Sequence, residues 1–134
     1  MLFAACKKSD STSTSKGTFT IGSASYTVSS IADSTYYITA GDSNGNYVEF
    51  IVKPSNTLTT GTYDVVDAAI DSNNQIHIGA YNMSNSRYYM SYSGTGVKVS
   101  VTANGNSKKI TLPQIKLFNL FAHDTILVSA SITK

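Results

Sequence analysis

Apolar and polar residues alternate along most of the chain, and a period of two places successive side chains on opposite faces of a β-strand. The clearest runs lie toward the C-terminus. Val97, Val99 and Val101 alternate with Lys98, Ser100 and Thr102, and Ile126, Val128, Ala130 and Ile132 alternate with Leu127, Ser129, Ser131 and Thr133. Each predicts a strand with one buried and one wetted face. Tyr36, Ile38 and Ala40 precede DSNGN at 42–46, and Val48, Phe50 and Val52 follow it. This predicts a hairpin, because Asn44 and Gly45 tolerate the positive φ of tight turns. Asn104-Gly105 is the same signal between strands predicted over 97–103 and 108–112, and DSNNQ at 71–75 turns the chain into Ile76, Ile78 and Ala80. Further strands are predicted over 18–21, 25–29, 62–66, 87–92 and 114–117. Pro113 has no N–H to donate and marks a bulge or an edge between Leu112 and Ile115. No segment carries a helical stripe, and 119–123 accommodates one short turn.

Many short strands separated by turn signals specify an all-β domain. Hairpins between nearest neighbours favour an antiparallel two-layer β-sandwich with mostly hairpin connections. A flattened lipocalin-like β-barrel is the alternative, since patterning does not decide whether a sheet closes.

The length of 134 residues suits one domain. Charged residues make up only 13% of the chain and the formal net charge is +2, so solubility rests on Ser, Thr, Asn and Tyr. Lys and Arg are scattered and form no basic stripe, which argues against nucleic acid as a partner. Cys6 is the single cysteine, so the core must hold the fold without an intrachain disulfide.

The most specific segment precedes the β pattern. Leu2, Phe3, Ala4 and Ala5 lead into Cys6, and Lys7 and Lys8 follow at once. A small-residue pair before a cysteine suits a lipoprotein signal peptidase, whose narrow cleft beside the cut admits only small side chains. LFAAC resembles the lipobox of bacterial lipoproteins, in the Bacteroidetes form with phenylalanine three residues before the cysteine. That resemblance implies that Cys6 is the mature N-terminus, with a thioether-linked diacylglycerol and usually an acyl chain on its α-amino group. Residues 1–5 would then be the remnant of a signal peptide. Only five residues precede Cys6, short of a basic n-region plus an apolar h-region of about 7 to 15 residues. The expectation is therefore a start codon upstream of Met1, or a chain cut from a longer one.

KKSDSTSTSK at 7–16 has no apolar residue with which to offset the entropy of ordering. Residues 6–16 are thus expected to be an acylated cysteine with a flexible tether, and 17–134 the β-domain. In Bacteroidetes lipoproteins, charged residues just after the acylated cysteine act as an export signal. The resemblance implies a protein lipid-anchored at the bacterial outer membrane through Cys6, with the side of the membrane left open by a run holding one acidic residue. Past the lipobox, the Gly61-Thr62-Tyr63 turn and the terminal pair of strands look like small β-rich lipoproteins of Bacteroidetes with no assigned activity, a resemblance that implies no catalytic residues.

Nine tyrosines are present, and Tyr36, Tyr37, Tyr47, Tyr81, Tyr88, Tyr89 and Tyr92 fall in predicted strands or at their ends. With Val48, Phe50 and Val52 inward, Tyr47 and Glu49 face out. With Ile76, Ile78 and Ala80 inward, His77 and Tyr81 face out too. The candidate ligand-binding platform comprises Tyr37, Tyr47, Glu49, His77, Tyr81, Arg87 and Tyr89, which would stack on sugar rings or clamp a peptide. The competing reading is that tyrosine simply suits half-buried strand surfaces, and the lack of Trp removes the largest stacking face.

Other chemistry finds little support. Asp42, Asn44, Asn46 and Glu49 match a calcium loop in composition, but an EF-hand needs Gly sixth and Glu twelfth, whereas Gly45 is fourth and Glu49 eighth. His77 and His123 lack the spacing of a zinc site, so no metal or cofactor is expected. Cys6, once acylated, offers no nucleophile, and Glu49 is the sole glutamate with no acid at a glycosidase-like spacing. The expected function is non-catalytic: an envelope lipoprotein binding an extracellular glycan or envelope protein. A structural subunit of an envelope complex and a lipocalin-like carrier of a small apolar ligand are the alternatives.

Overall fold

The structure, a computed structural model, describes residues 16–134, so Cys6 and the segment up to Ser15 lie outside the described residues. The described residues contain no helix. They form eleven strands, β1 (Gly17–Ile21), β2 (Ala24–Thr27), β3 (Ser30–Asp33), β4 (Tyr37–Gly41), β5 (Tyr47–Ile51), β6 (Gly61–Val66), β7 (Gln75–Asn82), β8 (Arg87–Met90), β9 (Lys98–Asn104), β10 (Ser107–Phe118) and β11 (Thr125–Thr133). All pairings are antiparallel except β6 with β7, which run parallel over three residue pairs after a short return through 67–74.

Hydrogen-bonded pairing closes a ring of five strands, β6-β7-β8-β10-β9, from which two wings extend. One wing is β11-β1-β2 and the other β5-β4-β3. Their outer strands are one continuous piece of chain. The N–H of Val28 donates to Gly17 in the first wing, and that of Ser29 donates to Gly41 in the second. The inward residues of all these strands except β2 and β3 meet in one core, with Val28 contributed from the link between those two. Phe19, Phe50 and Tyr89 are its largest fully buried members, and burying each large apolar side chain contributes about 1.5–3 kcal/mol. The all-β expectation holds, and a small closed five-strand barrel with further strands outside it is compatible with both the sandwich and the flattened barrel.

Local chemistry explains the turns. In the β4–β5 hairpin, Asp42 Oδ1 accepts from the N–H groups of Asn44 and Asn46, both at 2.9 Å, and Oδ2 accepts from Asn46 Nδ2 at 3.0 Å. Gly45 alone in this loop has a positive φ, 94°. The Asp42 carboxylate thus serves its own loop. In the β9–β10 hairpin, Asn104 pairs with Ser107, so the central residues are Gly105 and Asn106, one step beyond the predicted pair. Gly105, with φ 61°, stands first, as a type II′ turn requires. The strands predicted over 108–112 and 114–117 merge into β10, with a bulge between Leu112 and Ile115 at Pro113.

Candidate functional site

β5, β7 and β8 lie side by side, and their registers order the outward side chains. Tyr47 pairs with Tyr81 and Tyr81 with Tyr88; Glu49 pairs with Gly79 and Gly79 with Met90. Between these positions Val48, Phe50, Ile78, Ala80 and Tyr89 point into the core. The rings of Tyr47 and Tyr81 stack, with centroids 5.5 Å apart and planes 16° from parallel. Tyr88 leans across Gly79 and donates its hydroxyl hydrogen to Glu49 Oε1. Gly79 makes this possible. A Cβ there would lie 2.0 Å from Tyr88 Oη and 2.6 Å from Glu49 Oε1. Burial, then the hydrogen bond to Glu49 and its negative charge, push the Tyr88 phenol well above the ordinary tyrosine range. Burial, followed by the charge of Glu49, raises Tyr47 as well. At neutral pH these hydroxyls are donors.

Beside the tyrosines, a cleft of about 340 Å³ separates Tyr81, Tyr88 and Met90 from the turn at 120–122. That turn is tightly built. Asn119, itself buried, accepts from the N–H groups of Phe121 (2.9 Å) and Ala122 (2.6 Å) through Oδ1 and donates from Nδ2 to the Tyr88 carbonyl at 2.7 Å. His123 adopts φ 54° and its N–H donates back to Asn119. Asp124 Oδ2 accepts from Arg87 Nη1 at 2.5 Å and from Tyr89 Oη at 3.1 Å. The turn so held presents Leu120, 50% exposed, and Phe121, 93% exposed.

The comparisons with protein-family models, curated proteins and solved structures find no match for this chain.

Of the residues expected on the platform, Tyr47, Glu49 and Tyr81 come together. Tyr37 shares their face of the sheet but lies at its far end, opposite Ile51 and edge-on to Tyr36. Arg87 sits at the start of β8, paired with Asp124. His77 and Tyr89 are not on the exposed face. His77 is 4% exposed, because the edge of β7 changes partner from β6 to β8 beside it and Ser91 fills the gap. The Ser91 hydroxyl accepts from the Ile78 N–H at 2.9 Å and donates to the Val66 carbonyl at 2.6 Å. His77 Nδ1 lies 3.1 Å from that hydroxyl and 3.2 Å from the same carbonyl, so it is the donor to both. With these bonds Ser91 fills the gap beside His77 as a structural plug. Tyr89 is 1% exposed because β8 sends Tyr88 outward and therefore Tyr89 inward. Tyr88 takes the place given to Tyr89. The signal for it is the hairpin register, which sets Tyr88 opposite Tyr81.

A second cleft, of about 530 Å³, opens between Tyr37, Leu58, Lys108 and Lys134. Its lysines are engaged: Lys134 pairs with Asp33, and Lys108 Nζ donates to the Leu58 carbonyl at 3.1 Å. Among the described residues no three His, Cys, Asp or Glu side chains are grouped to hold a metal ion.

Proposed function

We propose that this protein is a lipid-anchored lipoprotein of the bacterial envelope, attached through Cys6, whose β-domain binds an extracellular glycan or envelope protein without catalysing a reaction. The observation that carries the binding role is the outward row in which Tyr47 stacks on Tyr81 and Tyr88, beside Tyr81, is braced by Glu49 over Gly79. Aromatic faces held in place on a sheet offer contact area at small entropic cost, which favours recognition.

The place of Lys16, the first described residue, supports the same reading. The carbonyl of Lys16 accepts from the Thr133 N–H, at the end of β11. The turn at 120–122 lies just before the beginning of β11. A nine-residue strand spans roughly 27 Å, so an anchor leaving at Lys16 would hold the Phe121 turn away from the membrane.

The test is electrophoresis through gels cast with soluble polysaccharides, together with overlay on separated envelope proteins. The parent chain is expected to be retarded or retained by one of these. Tyr47→Ala/Tyr81→Ala, shown by circular dichroism to be folded, is expected to lose that interaction. Undiminished binding by the double variant would remove this face from consideration.

A further inference from the structure

We infer that Asn44 is a site of spontaneous modification, deamidating by ring closure onto the Gly45 nitrogen, and that the product loosens the β4–β5 loop at the rim of the tyrosine face. The chemistry needs only solvent. The Gly45 nitrogen gives up its proton to hydroxide and attacks Asn44 Cγ; the N–Cγ bond forms, the Cγ–Nδ2 bond breaks, and Nδ2 leaves with a proton as ammonia. Water then opens the resulting five-membered imide. Opening at Cγ leaves an aspartyl residue, whereas opening at the main-chain carbonyl leaves an isoaspartyl residue, whose side-chain methylene has become part of the backbone. Nothing is oxidised or reduced.

Asn is followed by Gly at two places, 44–45 and 104–105, and a glycine there leaves the attacking nitrogen without a side chain to shield it. Both pairs are exposed. The structure separates them. Asn104 is held in register with Ser107 across the β9–β10 hairpin, and a strand ψ of about +135° carries the following nitrogen away from the side chain. Bringing the Gly105 nitrogen onto Asn104 Cγ therefore breaks ladder bonds. Asn44 lies outside the strands. Asp42 Oδ1 accepts from the N–H groups of Asn44 and Asn46 and passes over that of Gly45 between them. Among the described residues neither the Gly45 N–H nor the Asn44 side chain has a hydrogen-bond partner, so nucleophile and target are both unencumbered.

The consequence follows from what this loop carries. The two 2.9 Å bonds to one Asp42 oxygen set the spacing of residues 44 and 46. An isoaspartyl linkage lengthens that path by one methylene, and either product adds a carboxylate two residues from Asp42, where like charges repel. Asn46, 5% exposed, also ties the loop to the next turn, its Oδ1 accepting from the Met83 N–H at 2.9 Å. Tyr47 follows it directly, stacked on Tyr81.

The test incubates the full chain carrying Cys6→Ala in mildly alkaline heavy-oxygen water and follows proteolytic peptides by mass spectrometry. The peptide holding Asn44 is expected to take up one labelled oxygen and to split into two chromatographic forms. Its rate is expected to be about ten times that of the peptide holding Asn104, the factor that opening one ladder hydrogen bond imposes. Unfolding in urea is expected to bring the two rates together. Equal rates in the folded chain, faster uptake at Asn104, or the same ratio in urea would overturn the assignment. Asn44→Gln is the control for the effect on the face: on ageing, the ring resonances of Tyr47 and Tyr81 are expected to shift in the parent and to stay in place in the variant. Unmoved resonances in fully converted parent would overturn the link to the tyrosines. None of these readouts uses a ligand, so their failure leaves the binding role proposed above untouched.

Discussion

Replacing Gly79 by Ala tests whether the tyrosine face is built in the way its geometry indicates. The added Cβ would stand 2.0 Å from Tyr88 Oη and 2.6 Å from Glu49 Oε1, so one or both side chains must swing away. Both clashing atoms end flexible side chains, so the backbone need not move. The loss is the hydrogen bond to a charged acceptor, about 1.5–3 kcal/mol. Against it stands the gain of about 0.5–1 kcal/mol when a strand glycine becomes alanine, which Gly79 can accept because its φ is not positive. The net is a destabilisation of about 1–2 kcal/mol, or a melting temperature lower by about 3–10 °C for a domain of this size. Thermal unfolding followed by circular dichroism reads it. In a Tyr88→Ala background the main obstacle is gone, and Gly79→Ala is expected to become neutral or stabilising. Equal cost of Gly79→Ala in both backgrounds would refute the reasoning, since the penalty would then not arise from Tyr88.

Two further outcomes follow from the same site. Because the Tyr88 and Tyr47 phenols are raised in the folded protein, the native state keeps protons that the unfolded chain releases above about pH 10. Their stabilising contribution is complete below that pH and is lost as pH rises above it, more through Tyr88 than through the more exposed Tyr47. Denaturant titrations between pH 9 and 11 should show this decline, and Tyr88→Phe should make it shallower; an identical slope would count against the assignment. Asn119→Ala removes the bonds to Phe121, Ala122 and the Tyr88 carbonyl, at about 1–3 kcal/mol. Hydrogen exchange should show faster exchange of the Phe121 and Ala122 amides, whereas unchanged protection would mean the turn is held by something else.

Much of the strand pattern is legible in the sequence, and the exceptions have identifiable causes. Val99 and Val101, and Val128, Ala130 and Ile132, are buried as their alternation predicts, because one inward face is enough to specify them. Pro113 marks the bulge in β10 for want of an N–H. Ser30–Asp33 escapes notice as β3: it is four residues long, largely exposed, and lies at the outer end of its wing. At Tyr88 and Tyr89 alternation has no contrast to read, since adjacent positions carry the same side chain, and the hairpin register alone tells them apart. His77 sits on the outward parity of β7, as predicted, but Ser91 and the carbonyl of Val66 cover it. That cover comes from an exchange of neighbours distant in sequence. Leu120 and Phe121 read as ordinary apolar residues, and only the turn fixed by Asn119 shows that they point to solvent.

The central claim, that ligand is bound on the Tyr47, Tyr81 and Tyr88 face, is tested most directly by NMR of tyrosine ring signals. The full chain carrying Cys6→Ala would be titrated with the polysaccharide that retards it or the envelope protein that retains it. The account predicts that the ring resonances of Tyr47, Tyr81 and Tyr88 shift with added ligand while those of Tyr26 and Tyr63, on other strands, stay in place. Shifts confined to Tyr37, at the cleft with Lys108 and Lys134, or absent from all three facing tyrosines, would contradict it.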